Sequence, residues 1–181
     1  EMLGDETFPK SGSGYKWHFG KEELAKLLAE EERRNYDFVF SALPDQEELV
    51  LFRYPKDYHN AKAVLKAEFL GTDPEKYLTE GGSFSPEAMV SMIRERNFVF
   101  MSSEMKEAVN RAAEVFGKGR DPQEIDIILD KACYSRMLNA AEKTENLFLI
   151  NYVRLLIDIL NVITFVRLRQ MKKPWTFFSK V

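Results

Sequence analysis

The feature that most constrains the fold is a long stretch of helix-forming sequence in the last third of the chain. It begins at Asp121-Pro122-Gln123-Glu124, where an Asp cap, a proline in the first turn and a Glu three residues after the cap are typical of a helix start. Helix-forming sequence then continues almost to Lys173, with one weaker point near Lys143-Thr144. A stretch of this length favours long helices that pack side by side.

The first two thirds of the chain carry the same kind of signal. Four more helices are predicted to begin near Lys21, Glu47, Ser85 and Ser103. Pro55 should kink or restart the second of these, because a proline is tolerated in the first turn of a helix but not in its interior. Gly71 and Gly117 are the expected stops of the second and fourth. Only residues 38–40 and 98–101 could be read as short strands, so we predict an all-α fold with long helices.

Composition and charge exclude several classes of protein. Hydrophobic residues make up 45% and charged residues 30% of the chain, as in an ordinary globular domain. The net charge of −3 argues against a dedicated nucleic-acid binder. The chain has one cysteine, Cys133, and two histidines, His18 and His59. These counts exclude a disulfide framework within the chain and argue against a Cys-rich or multi-histidine metal centre. No pattern supplies a nucleophile with its base, so we expect no catalytic residue, no metal and no cofactor.

Residues 147–166 are long and apolar enough to resemble a membrane span. Four polar residues interrupt this segment on one side of the helix, within an arc of roughly 80°: Asn151, Arg154, Asp158 and Asn161. A central Arg and Asp would each cost about 2.5–3.5 kcal/mol in a bilayer, so a membrane span is disfavoured. We expect instead a helix buried on most sides of a helical bundle, with Arg154 and Asp158 paired at i,i+4.

A D-x-x-N motif occurs twice in the chain. It lies at Asp57 and Asn60 and again, 101 residues later, at Asp158 and Asn161. Each copy is followed by about three turns of helix and then by a turn with a proline and aromatic residues, at 74–78 and 174–178. This agreement indicates a duplicated helical unit. Because Asp and Asn at i,i+3 share one helix face, we expect each pair to hold a neighbouring helix or a broken turn by hydrogen bonds, with direct contact to a partner as the alternative.

Basic residues follow both copies of the motif: Lys62, Lys66, Arg167, Arg169, Lys172 and Lys173. The simplest interpretation is a solvated helix face. The functional interpretation is a surface complementary to an acidic partner or to lipid headgroups. On the second interpretation, the candidate partner contacts are Lys62, Lys66, Arg154, Arg167 and Arg169.

The run at 54–71, YPKDYHNAKAVLKAEFLG, resembles the signature helix of the C-type subunit of archaeal and bacterial V/A-type ATPases, the relative of the d-type subunit of eukaryotic V-ATPases. The segments 121–140 and 152–169 resemble two further stretches of that family, and the resemblance covers about residues 20–181. Family members are longer and contain three related helical units. The resemblance therefore implies a central fragment with an irregular segment at 1–20, a first helical unit at 21–117 and a second, truncated unit at 118–181.

What the resemblance implies is a non-catalytic, funnel-shaped socket on the cytoplasmic face of the membrane. Its partners would be the membrane rotor ring and the central-stalk subunits, and torque would pass through it between ATP hydrolysis or synthesis and the transport of protons or sodium ions. It would bind no nucleotide, no nucleic acid and no cofactor, and it would contact the membrane only through the complex. The alternative is a generic helical scaffold or protein-binding module unrelated to rotary ATPases.

Overall fold

The computed structural model describes residues 20–42, 47–172 and Trp175. Within these ranges the chain forms α-helices and two 3-10 helices, at Glu47–Arg53 and Glu75–Tyr77, and contains no strand. The α-helices are α1 Lys21–Ala42, α2 Tyr54–Leu70, α3 Pro86–Arg94, α4 Ser103–Gly119, α5 Pro122–Lys143 and α6 Leu147–Gln170. The predicted all-α fold is confirmed. The irregular segment expected at 1–20 lies, except for Gly20, outside the described residues.

The chain divides into two compact units, residues 1–44 and 45–181. In the first unit the described element is α1, and it leaves the apolar side chains of Leu24, Leu27 and Leu28 exposed. The boundary expected between residues 117 and 118 stays a prediction.

In the second unit α5 is the central helix. It packs against α2, α4, α6 and the 3-10 helix Glu47–Arg53. Its buried residues repeat every four positions, which places them on one side of the helix: Ile125, Leu129, Cys133, Met137 and Ala141. Fully buried side chains of α2, α3 and α4 complete the same core, among them Tyr58, Leu65, Ile93 and Met105. The core thus lies where α5 meets the helices that precede it.

Local signals account for most helix ends. Pro55 lies in the first turn of α2, so the helix restarts there as predicted, and Gly71 ends it in the left-handed conformation at φ 66°. Gly117 does not end α4, which continues to Gly119 and is followed by Arg120 at φ 52°. Glycine is permitted in a helix interior at a cost of roughly 0.5–1 kcal/mol, so its presence does not by itself end a helix. The weak point near Lys143-Thr144 is the break between α5 and α6.

The expectation that α6 is buried on most sides is wrong for the described residues. Its buried residues are Leu149 and Val153, four positions apart on the side that faces α5. Much of its remaining surface is exposed and apolar, including Leu147, Phe148, Leu155, Ile159, Val162, Ile163 and Val166. By length and composition alone, α6 could cross a membrane. The described elements cover only one side of this helix, and the sequence pattern could not show this, because apolar residues occur on more than one face.

Candidate functional site

Two polar residues are fully buried in the described core, Asp57 and Asn60 on α2. Asp57 Oδ1 accepts hydrogen bonds from the backbone N–H groups of Ser83 at 2.8 Å and Phe84 at 3.2 Å. Asn60 binds both backbone groups of Thr79: its Oδ1 accepts from the N–H at 2.9 Å and its Nδ2 donates to the carbonyl at 2.8 Å. We call Asp57, Asn60 and residues 79–84 the loop clamp. It gives Oδ1 of Asp57 and both polar atoms of the Asn60 side chain hydrogen-bond partners, whereas Oδ2 of Asp57 is buried with no partner among the described residues.

The loop approaches α2 so closely at Gly82 that a side chain at this position would force a neighbouring atom to shift. A Cβ atom at Gly82 would collide with the Asp57 carboxylate, because Oδ1 and Cγ of Asp57 both lie within contact distance of that position. A further bond outside the clamp holds the chain as it returns, since Nε2 of His59 donates to the carbonyl oxygen of Tyr77 at 2.8 Å. The D-x-x-N pattern indicated Asp57 and Asn60, but no sequence pattern indicated Gly82, because its role depends on a contact between residues far apart in sequence.

Burial raises the pKa of the Asp57 carboxyl group, against the opposing effects of its hydrogen bonds to Ser83 and Phe84 and of the positive charge on Arg136. Burial also raises the pKa of Tyr58 to about 12, with Arg136 again opposing the shift. The Arg136 guanidinium carbon lies 3.9 Å from the centre of the Tyr54 ring, a cation–π distance. Arg136 on α5 therefore acts on this end of α2, a role that no sequence pattern had indicated.

The second copy of the motif has a different environment. Asp158 and Asn161 lie near the middle of α6, are exposed and have no hydrogen-bond partner among the described residues. Arg154 does not pair with Asp158 but with Glu142 of α5, at 3.1 Å. Helical side chains point toward the N-terminus of their helix, which directs Arg154 back toward the end of α5 rather than forward to Asp158. The proposed duplication of helical units is not confirmed.

The basic residues predicted as partner contacts fall into two groups. Lys62 pairs with Asp130 at 2.7 Å and Lys66 with Asp126 at 2.6 Å, so two consecutive turns of α2 are tied to α5. Arg167 and Arg169 are exposed in the last turn of α6. Lys172 is exposed, and Lys173 lies outside the described residues.

Features typical of enzymes are weak in the described part of the chain. No group of three or more His, Cys, Asp and Glu side chains there could hold a metal ion. Burial raises the pKa of the Cys133 thiol to about 12, so this thiol is neutral at physiological pH. A shallow hollow of about 370 Å³ between α4 and α5 has a mixed lining that includes Arg111, Glu124, Ile127 and Lys131.

The extended apolar surface on α6 has the features of an interaction site, because large exposed apolar surfaces mark contacts with other proteins or with membranes. Residues 16–180 match the family model of the ATP synthase (C/AC39) subunit, and the chain belongs to this family. Members of this family are a subunit of V-type rotary ATPases, distinct from the catalytic subunit of the complex. No curated protein and no solved structure matches the chain significantly.

Proposed function

We propose that this chain is part of the non-catalytic subunit that couples the central stalk of a V/A-type ATPase to its membrane rotor ring at the cytoplasmic face of the membrane. The observation that carries this proposal is the family match, which extends over residues 16–180. Torque would pass through the chain between ATP hydrolysis or synthesis and ion transport. No step of this role requires a nucleotide or a cofactor on the chain itself.

Torque transmission requires helices that do not slide past one another. The contacts of α5 suit this requirement, since it packs against three other α-helices and the 3-10 helix Glu47–Arg53. The ion pairs of Lys62 with Asp130 and of Lys66 with Asp126 link α2 to α5 at two consecutive turns. Close packing of the core between these helices adds to the stiffness, because protein interiors have low compressibility.

The last turn of α6 is the part of the described surface that we propose for contact with a partner subunit. Arg167 and Arg169 are exposed there and lie next to exposed apolar residues such as Ile163 and Val166. Lys62 and Lys66 are less available, because a partner would have to compete with their ion pairs to α5. An acidic surface on the ring or the stalk would match Arg167 and Arg169 by charge.

The test is a binding assay of the chain against the detergent-solubilised rotor ring and, separately, against the central-stalk subunits. The double variant Arg167→Glu with Arg169→Glu should weaken binding to one of them by at least about tenfold, because charge reversal at an interface places like charges against each other. The loss should shrink as the salt concentration rises, since salt screens exposed charges.

The matched control is Lys106→Glu with Lys118→Glu, which makes the same change of net charge on exposed positions of α4. This control should bind like the parent chain. Equal weakening by both double variants would mean that net charge alone, and not the end of α6, governs binding. Binding of the folded parent to neither partner would overturn the coupling role and favour the alternative, a helical scaffold unrelated to rotary ATPases.

A further inference from the structure

A seam of exposed apolar side chains runs along α6, roughly 120° around the helix from Leu149 and Val153, which face α5. Its members are separated alternately by four and three residues: Phe148, Tyr152, Leu155, Ile159, Val162 and Val166. We call these residues the α6 seam. Their spacing averages about 3.5 residues, the repeat with which helices pack side by side as a coiled coil. The occupant that this spacing favours is therefore another helix.

The α6 seam is uncovered along its length in the described part of the chain. Its members keep between 43% and 73% of their surface exposed. The lowest value belongs to Tyr152, because the ring of Phe52 packs edge-on against it with the ring centres 5.5 Å apart. The seam contains no charged residue, so covering it with a second apolar surface is favourable.

The α6 seam is complementary to itself when two copies of α6 run antiparallel. If the two-fold axis lies near residue 157, the side chains that face one another across the axis are Phe148 with Val166, Tyr152 with Val162, and Leu155 with Ile159. Each aromatic ring then meets a smaller, β-branched side chain. Large residues that face small ones allow the layers of a core to interdigitate.

The charges at the two ends of α6 favour the same arrangement. In the antiparallel pairing, Arg169 of one copy lies opposite Glu145 of the other, next to the layer of Phe148 and Val166. Arg169 and Glu145 are both exposed, and neither has an ion pair within the ranges that the structure describes. A parallel pairing would instead set each of these residues against its own copy, and like charges repel. The ends of α6 thus match a second copy of this chain in the antiparallel orientation.

We propose that the α6 seam is the interface of a symmetric dimer, in which two copies of this chain pack their α6 helices antiparallel. The seam side chains and their neighbours on both copies would bury on the order of 1,000 Å², the lower limit for a specific protein interface, so the dimer is weak and reversible. The inference does not rest on the coupling role. Because Arg169 takes part in both proposed contacts, a chain in the dimer would not offer this residue to a partner subunit.

The test is sedimentation equilibrium of the 181-residue chain. The parent chain should pass from monomer to dimer, and to nothing larger, at concentrations up to roughly 1 mM. Val162→Asp places a charge in the seam and should weaken the dimer at least about tenfold, because a buried unpaired charge is costly. The matched control is Val99→Asp, which makes the same change at an exposed valine outside α6 and should leave the dissociation constant unchanged. Circular dichroism should show that both variants fold, since both valines are exposed in the single chain.

Exchange of the charges at the ends of α6 tests the orientation. Arg169→Glu and Glu145→Arg should each weaken the dimer about three- to tenfold at low salt, because each change creates two like-charge contacts in a symmetric dimer. The double variant should recover the dissociation constant of the parent, since it rebuilds both ion pairs with their signs exchanged. Single variants without effect, or a double variant that does not recover, would overturn the antiparallel pairing.

Three further results would overturn the dimer itself. A chain that stays monomeric over the whole concentration range would leave the α6 seam to a helix of a different protein. Flotation of the monomer with vesicles of phosphatidylcholine and phosphatidylserine, lost in Val162→Asp, would identify the occupant as a bilayer. A dimer that Val162→Asp does not weaken would have its interface on another surface of the chain.

Discussion

α2 and α6 carry the same D-x-x-N motif, and the structure treats the two copies in opposite ways. On α2 the two side chains are fully buried and bind the backbone of residues 79–84. On α6 they are exposed and unpaired among the described residues. The comparison shows that the motif does not determine burial by itself. Burial of these polar groups requires a returning backbone that supplies hydrogen bonds, because an unpaired buried polar group is costly.

The largest expected effect on stability comes from removing the aspartate of the motif on α2. The same change on α6 serves as the comparison. Asp57→Ala leaves two backbone N–H groups of the loop clamp without their acceptor, and we expect it to lower the free energy of unfolding by about 2–3 kcal/mol. Adding Asn60→Ala should lower it further and loosen the bundle. Asp158→Ala removes an exposed group and should change stability by less than about 0.5 kcal/mol.

Urea unfolding followed by circular dichroism would measure these changes. Equal effects of Asp57→Ala and Asp158→Ala would break the comparison. Loss of partner binding by the Asp57 and Asn60 double variant at an unchanged melting temperature would make these residues a partner contact instead of a structural pair.

The second prediction concerns the loop side of the clamp. Gly82→Ala places a methyl group against the Asp57 carboxylate and should destabilise the chain by about 1–3 kcal/mol through overpacking. Gly117→Ala is the control, since a Cβ atom at that helical position meets no other atom within 4 Å. It should stabilise the chain by about 0.5–1 kcal/mol because alanine is the better helix former. Thermal unfolding of both variants would show whether each substitution raises or lowers stability. If Gly82→Ala left stability unchanged, the loop would be held more loosely against Asp57 than the structure indicates.

The third prediction uses pH. Burial raises the pKa of Asp57 above its ordinary value of 3.8, so the folded state favours the neutral carboxyl group. The stability that Asp57 contributes relative to Asp57→Asn should be fully present below pH 3.8 and should fall as the pH rises through the raised pKa. Denaturant unfolding of both chains across this range would measure the difference. A difference that grows with rising pH would show that hydrogen bonds from the loop outweigh desolvation.

The smallest effect is expected from the ion pairs that join each helix to α5. Lys62 and Asp130 have side-chain exposures of 20% and 47%, against 58% and 46% for Arg154 and Glu142. A double-mutant cycle with alanine should give a coupling free energy of about 0.5–1 kcal/mol for the α2 pair and less for the α6 pair, because exposed pairs are more strongly screened. If the two pairs had equal coupling free energies and both energies disappeared in high salt, α2 and α6 would not differ in the strength of their ion pairs to α5.

The sequence predicted those elements that depend on neighbouring residues. Ser85 and Asp121 cap their helices by accepting hydrogen bonds from Ala88 and Gln123, as the local pattern indicated. The restart of α2 at Pro55 has the same local origin, because the fixed φ of proline suits a first turn.

The features that the sequence did not predict depend on distant contacts. The partner of Arg154 is Glu142, which the spacing within α6 could not identify. The role of Gly82 depends on its approach to Asp57. The exposure of α6 depends on which elements cover it, and periodicity does not carry that information.

The neutral thiol of Cys133 makes the chain a reporter of its own opening. Because this cysteine is buried in the core that α5 forms with the earlier helices, a thiol reagent can reach it only when that core opens. The rate of labelling in native conditions therefore reports how readily the core around Cys133 opens. A thiol-reactive dye would meanwhile label a cysteine introduced on the exposed surface of α6 faster than it labels the buried Cys133.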